Sequence, residues 1–171
     1  MTKPRAAAAG LPVLTTKLGV LCAFIAGCAA IAPQPGATRD EVLRTWGLPS
    51  ARYTLPEGAE RLEYATGPYG RMTWMVDISA AGRVLQARQV LNEAEFLRVQ
   101  SATELKRDGL LRWLGTPGER RGGGRAGGEV WSWRYPTNDC LWFESSVAAD
   151  GRITGSSYGI DPRCDARDAL R

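Results

Sequence analysis

Apolar residues fall along this chain in three rhythms. The first is an unbroken run from Leu18 to Ala26, preceded by the cations Lys3, Arg5 and Lys17. It is too short to span a bilayer, which takes about 20 apolar residues, and residues 1–27 read as an export signal. The second rhythm has helical spacing. Val42, Leu43 and Trp46 form one face behind Thr38 and Glu41, which are spaced as a capping box, and Gly47 and Pro49 end the helix. Leu110, Leu111 and Leu114 form a second such face, opened by Thr103 and Leu105 and closed by Gly115 and Pro117, and Leu91–Val99 is expected to form a further helix between the two. The third rhythm alternates and predicts strands at Leu62/Tyr64, Thr73–Ile78 and Val84–Val90. It returns at Val130–Tyr135, Leu141–Val147 and Ile153–Tyr158, with hairpin turns at Ala81-Gly82 and Asp150-Gly151.

These elements occur twice, at an offset of 68–69 residues. The segment from Arg39 to Pro49 matches that from Arg107 to Pro117, with Arg, Asp, Leu, Arg, Gly and Pro identical in one ungapped register. Glu60–Tyr64 then falls over Glu129–Trp133, and Trp74–Val84 over Phe143–Ile153. One unit of roughly 60 residues buries only about 60 % of its unfolded surface, so two packed together are expected to form one α+β body. The fold predicted is two tandem repeats of helix plus antiparallel sheet. The divisions are a signal at 1–27, a Pro-containing tether at 28–37, repeats at 38–100 and 101–165, and a tail at 166–171.

Charge looks informative until it is located. The chain of 171 residues has 22 Lys and Arg against 18 Asp and Glu, a net charge of +4. All three cations of residues 1–27 are lost with the signal, and the remainder carries a net charge of +1. A near-neutral exported body gives no electrostatic case for nucleic acid. His is absent altogether, which excludes Ser-His-Asp, Cys-His and His-zinc chemistry. No enzyme activity, metal or cofactor is expected.

The apolar run ends in Ile25-Ala26-Gly27-Cys28. An aliphatic residue, two small residues and a Cys resemble the bacterial lipobox, which implies lipidation of Cys28. Several acyl chains hold a protein at a bilayer stably where one holds it only marginally. A plain secretory signal or an uncleaved anchor that happens to carry Cys28 is the competing reading. Ala29, rather than Asp, follows the Cys and by resemblance favours the outer membrane.

The lipobox, the pattern Gly36-Ala-Thr-Arg-Asp-Glu-Val followed by Gly47-Leu-Pro49, the aromatic strand Leu62-Glu-Tyr64 and the Gly-turned hairpin together resemble the SmpA/OmlA (BamE-like) family of outer-membrane lipoproteins. The resemblance covers nearly all of the chain beyond Cys28, as two copies where family members usually have one. Tandem units of this kind are also similar to the β-lactamase inhibitory proteins. What the resemblance implies is a lipid-anchored periplasmic protein with a scaffold or accessory role in outer-membrane β-barrel assembly. Its partners would be the membrane and a periplasmic or outer-membrane protein.

Cys140 and Cys164 are the other Cys beyond the signal, and in an oxidising periplasm they are expected to pair, against the alternative of two buried thiols. Gly155-Ser-Ser157-Tyr-Gly159 fits a nucleophile-elbow pattern but lacks a His base and reads as strand. Trp131, Trp133 and Tyr135 alternate and are expected to face the helices. Trp142 and Met75 then point from the opposite sheet faces and are candidate partner anchors, Trp142 alternatively packing beside the disulfide. Arg120, Arg121 and Arg125 lie in a Gly-rich stretch expected to be a hairpin loop, and are candidates for an anionic surface.

Overall fold

A computed structural model describes residues 32–124 and 127–164. Helix α1, Arg39–Trp46, begins at the capping box, where the Thr38 side chain accepts the Glu41 amide N–H and the Glu41 carboxylate accepts the Thr38 amide N–H at 2.7 Å. A four-stranded antiparallel sheet follows, in the order β1 (Ala51–Thr54), β2 (Glu60–Ala65), β3 (Thr73–Ile78) and β4 (Val84–Gln89). Helix α2, Glu93–Ser101, leads to α3, Arg107–Leu114. A second sheet has the same order and sense: β5 (Glu119–Gly122), β6 (Glu129–Arg134), β7 (Leu141–Val147) and β8 (Ile153–Ile160).

The recurrence extends to single hydrogen bonds. Gly47 N–H donates to Leu43 O at 2.9 Å and Gly115 N–H to Leu111 O at 2.8 Å. Arg39 N–H donates to Gly82 O and Arg107 N–H to Gly151 O. Both hairpins carry a register shift, between Asp77 and Ile78 and between Ser146 and Val147. The carbonyl of each helix-ending Gly accepts an aromatic donor, Tyr64 Oη on Gly47 and Trp133 Nε1 on Gly115.

Two strands escaped the sequence pattern. β1 is Ala-Arg-Tyr-Thr and β5 is Glu-Arg-Arg-Gly, both short edge strands without apolar alternation. Arg120 and Arg121 therefore lie on a strand rather than in a loop. α2 starts two residues later than Leu91 because Asn92 caps it, its side chain accepting the Glu95 amide. α3 starts at Arg107, and its N-cap Lys106 makes no capping bond through its side chain.

The two sheets are packed differently. One face of β2 and β3 carries Leu62, Val76 and Ile78, which bury with Val42 of α1 and Val84 of β4. The other face of the same strands carries Arg61, Glu63, Met75 and Asp77, all buried, and α3 covers it. Arg61 Nη1 donates to Arg112 O at 2.7 Å, and Met75 joins the cluster of Leu110, Leu114, Trp131, Trp133 and Phe143. Sheet one is thus sandwiched by helices from both halves, and α3 serves both sheets.

Candidate interaction surface

The seam between the halves is polar at its centre. Arg61 and Asp77 form a two-bond pair, Nε to Oδ1 at 2.5 Å and Nη2 to Oδ2 at 2.7 Å. Burial alone pushes the Asp77 carboxyl up, but Arg61 and the Gln86 amide outweigh it and hold it below the usual carboxylate range. The carboxylate of Glu63, fully buried, accepts from Tyr53 Oη at 2.5 Å, from the Thr116 amide at 3.1 Å and from Ser50 Oγ at 3.2 Å. Burial and the bond to Glu63 push the Tyr53 phenol up, so it stays a neutral donor. Arg61, Glu63 and Asp77 of this cluster are buried, and it joins the halves rather than offering a surface.

Met75 is correctly placed opposite Trp74, but it is not an exposed anchor. It is fully buried, because α3 lies on the face that was expected to be open. Trp142 requires the same correction. It points away from Phe143 as alternation demands, yet is only 1 % exposed. Arg134 on the neighbouring β6 and Arg121 on β5 beyond it lie over its ring, their guanidinium carbons 5.1 Å and 5.4 Å from the centroid. Arg121 is further held by Glu144 at 2.5 Å, and Arg120 lies 4.3 Å over Trp131. Both guanidinium groups thus lie over a tryptophan. Arg125 and Cys28 lie outside the described residues, as do residues 1–31 and the tail.

Cys140 and Cys164 are bonded, with their Cα atoms 5.9 Å apart. The bond sets the segment after β8 against sheet two. There Asp161 binds Arg134 through two bonds, at 2.5 Å and 2.8 Å, and Arg134 Nη1 donates to Pro68 O at 3.0 Å. Arg163 stands 4.0 Å over the Tyr69 ring. The β2–β3 loop of sheet one is thereby clasped onto sheet two. The Gly155–Gly159 pentapeptide lies inside β8, with no strand-to-helix turn at Ser157.

An open aromatic cleft lies elsewhere, on the α1 side of sheet one. Thr45, Trp46, Tyr64, Thr66, Met72 and Trp74 line a space of about 590 Å³. The Trp46 ring stands edge-on to Tyr64 at 5.3 Å and to Trp74 at 5.7 Å, which fixes the walls. The sequence pattern placed Trp46 on the apolar face of its helix and Tyr64 and Trp74 on strands facing it, and assigned no face to Thr45, Thr66 or Met72. It did not show that α1 is too short to cover them: eight helical residues reach ~12 Å, whereas six strand residues reach about 20 Å. Met72 at the rim is 44 % exposed, and Leu48, past the end of α1, is 83 % exposed.

No family model matches this chain, and no curated protein or solved structure is similar to it. Among the described residues no helix is long and apolar enough to cross a membrane, and no three His, Cys, Asp or Glu side chains gather as a metal site.

Proposed function

We propose that this chain is a lipid-anchored outer-membrane lipoprotein facing the periplasm, with a non-catalytic scaffold or accessory role in β-barrel protein assembly or envelope integrity. The observation that carries it is Ile25-Ala26-Gly27-Cys28, closing a basic and apolar leader ahead of a tether and a doubled helix-plus-sheet body. Cys28 would hold the chain at the bilayer, and the body would meet a protein partner. Radiolabelled palmitate is expected to enter the wild type and not Cys28→Ser, and crosslinked membranes are expected to yield an assembly subunit with the wild type. Absence of label overturns the anchoring. Unchanged β-barrel protein levels and membrane permeability on deletion overturn the assembly role.

The open cleft favours a second reading, a tethered inhibitor or ligand-binding module similar in arrangement to the β-lactamase inhibitory proteins. An enzyme captured by the chain, and released by a substitution in the cleft, supports it over the first.

A further inference from the structure

The cleft on sheet one has a filled counterpart on sheet two. Adding the repeat offset of 68 to its helix residues and 69 to its strand residues turns Thr45, Trp46, Tyr64 and Thr66 into Trp113, Leu114, Trp133 and Tyr135. Met72 and Trp74 become Leu141 and Phe143. All six counterparts belong to the core cluster of the second half or pack against it. What completes that core is α2. Phe96, with no exposed surface, stacks on Phe143 at 4.3 Å with the rings 4° from parallel, and meets Tyr135 edge-on at 5.1 Å. Val99, one turn on, buries beside it.

The first half has the corresponding helix and strands, with aromatic side chains kept at Tyr64 and Trp74 and added at Trp46, and with Thr66 where the second half has Tyr135. Among its described residues no element takes the place of α2. Pro33 is not among the residues that line the cleft; it lines a separate space with Ala37, Glu41, Thr45 and Trp46 on the other side of α1. A surface built as one wall of a core, with edge-on rings fixing its shape, is left uncovered by the described residues.

We infer that the Trp46–Tyr64–Trp74 cleft receives an amphipathic helix of a partner protein, which inserts an aromatic side chain against Trp74 as Phe96 does against Phe143. The fold itself identifies this occupant, because α2 is such a helix already bound to the twin of this surface. Helix-in-groove binding reads anchors at i and i+3, the spacing of Phe96 and Val99. A volume of about 590 Å³ lies within the ~300–1,000 Å³ of pockets that bury a drug-sized molecule, which is room for one aromatic side chain. The residues that precede α1 by the same interval, 25–33, read Ile-Ala-Gly-Cys-Ala-Ala-Ile-Ala-Pro. They offer neither the aromatic anchor nor the acidic first turn of α2. The inference rests on the reading of this chain as a binding protein, and on neither its anchoring nor its role in assembly.

The probe is a lactam-bridged helical peptide with the sequence of residues 92–101 of this chain, added to the ¹⁵N-labelled full chain in detergent micelles. The indole N–H signals of Trp46 and Trp74 are expected to move with peptide concentration. Phe96→Ala in the peptide removes the anchor and is expected to weaken binding roughly tenfold or more. Thr45→Lys and Met72→Glu change exposed side chains at the rim, so each chain should keep its circular dichroism and lose the peptide. Equal movement with the Phe96→Ala peptide, or none with the parent peptide, overturns the inference. Movement confined to the Trp133 indole also overturns it, since the peptide would then be displacing α2. Palmitate labelling and crosslinking stand unaffected by any of these outcomes, so failure here and failure of the lipoprotein reading are told apart.

Discussion

Arg61 is the residue on which the seam turns, since one side chain holds Asp77 and also the Arg112 carbonyl at the end of α3. Removing one member of a buried ion pair leaves the other charge unpaired, which costs about 3–5 kcal/mol. Arg61→Ala is expected to lose that much in urea unfolding, and the exposed Arg44→Ala less than about 0.5 kcal/mol. The Asp77 and Asp161 carboxyls are both held low, chiefly by the guanidinium groups that overcome their burial. Their folded values lie below the unfolded value near ~3.9, so their contribution is complete above that pH and lost as pH falls through the folded values. Stability is therefore expected to drop below about pH 4, and less steeply in Asp77→Asn, as followed by thermal unfolding across pH. Two glycines separate conformation from space. Gly47 and Gly115 share positive φ, 77° and 81°, but a Cβ at Gly47 meets nothing within 4 Å, whereas at Gly115 it meets Glu63 and Thr73 at 2.9 Å. Gly115→Ala is expected to be the more damaging by thermal midpoint, since at Gly47 only the backbone is strained, at about 1–3 kcal/mol.

At the level of elements, the legible parts of the chain were those whose apolar residues recur on one face. The capping box, both helix-ending Gly-x-Pro steps and the six alternating strands all lie where apolar spacing placed them. β1 and β5 were hidden because pairing, not burial, makes them strands. β5 has no apolar side chain, and its exposed arginines set their guanidinium groups over Trp131 and Trp142. Arg121 and Arg134 explain why Trp142 read as open: alternation reports a face, and only the other strands of the sheet report what lies on it. Met75 was misjudged for a related reason, since its cover comes from a helix more than thirty residues along the chain. The cleft was half legible, its residues visible and its exposure not. α2 is the element where this difference is largest. Phe96→Ala removes a ring packed against Tyr135, Phe143 and Tyr158 and is expected to cost about 3–5 kcal/mol in denaturant unfolding, without altering the Trp46 cleft.

Across the whole molecule, two devices bind half to half: α3 against the back of sheet one, and the clasp of Pro68 and Tyr69 under Arg134 and Arg163. The Cys140–Cys164 bond fixes the segment that carries Asp161 and Arg163, across a sequence separation of 24. In the chain-entropy picture such a loop contributes roughly 3 kcal/mol, so dithiothreitol or Cys164→Ser is expected to lower the urea midpoint by a matching amount. The two halves share one buried seam, and unfolding is expected as a single transition by far-UV circular dichroism and by tryptophan fluorescence alike. The seam also sets a timetable. Sheet one is complete in the growing chain well before α3 exists, so its rear face, with an ion pair and a carboxylate, first meets water. The N-terminal half must wait for the C-terminal half before it is finished, and any chain stopped short of Leu114 would carry that unfinished face outward as a mark of incompleteness.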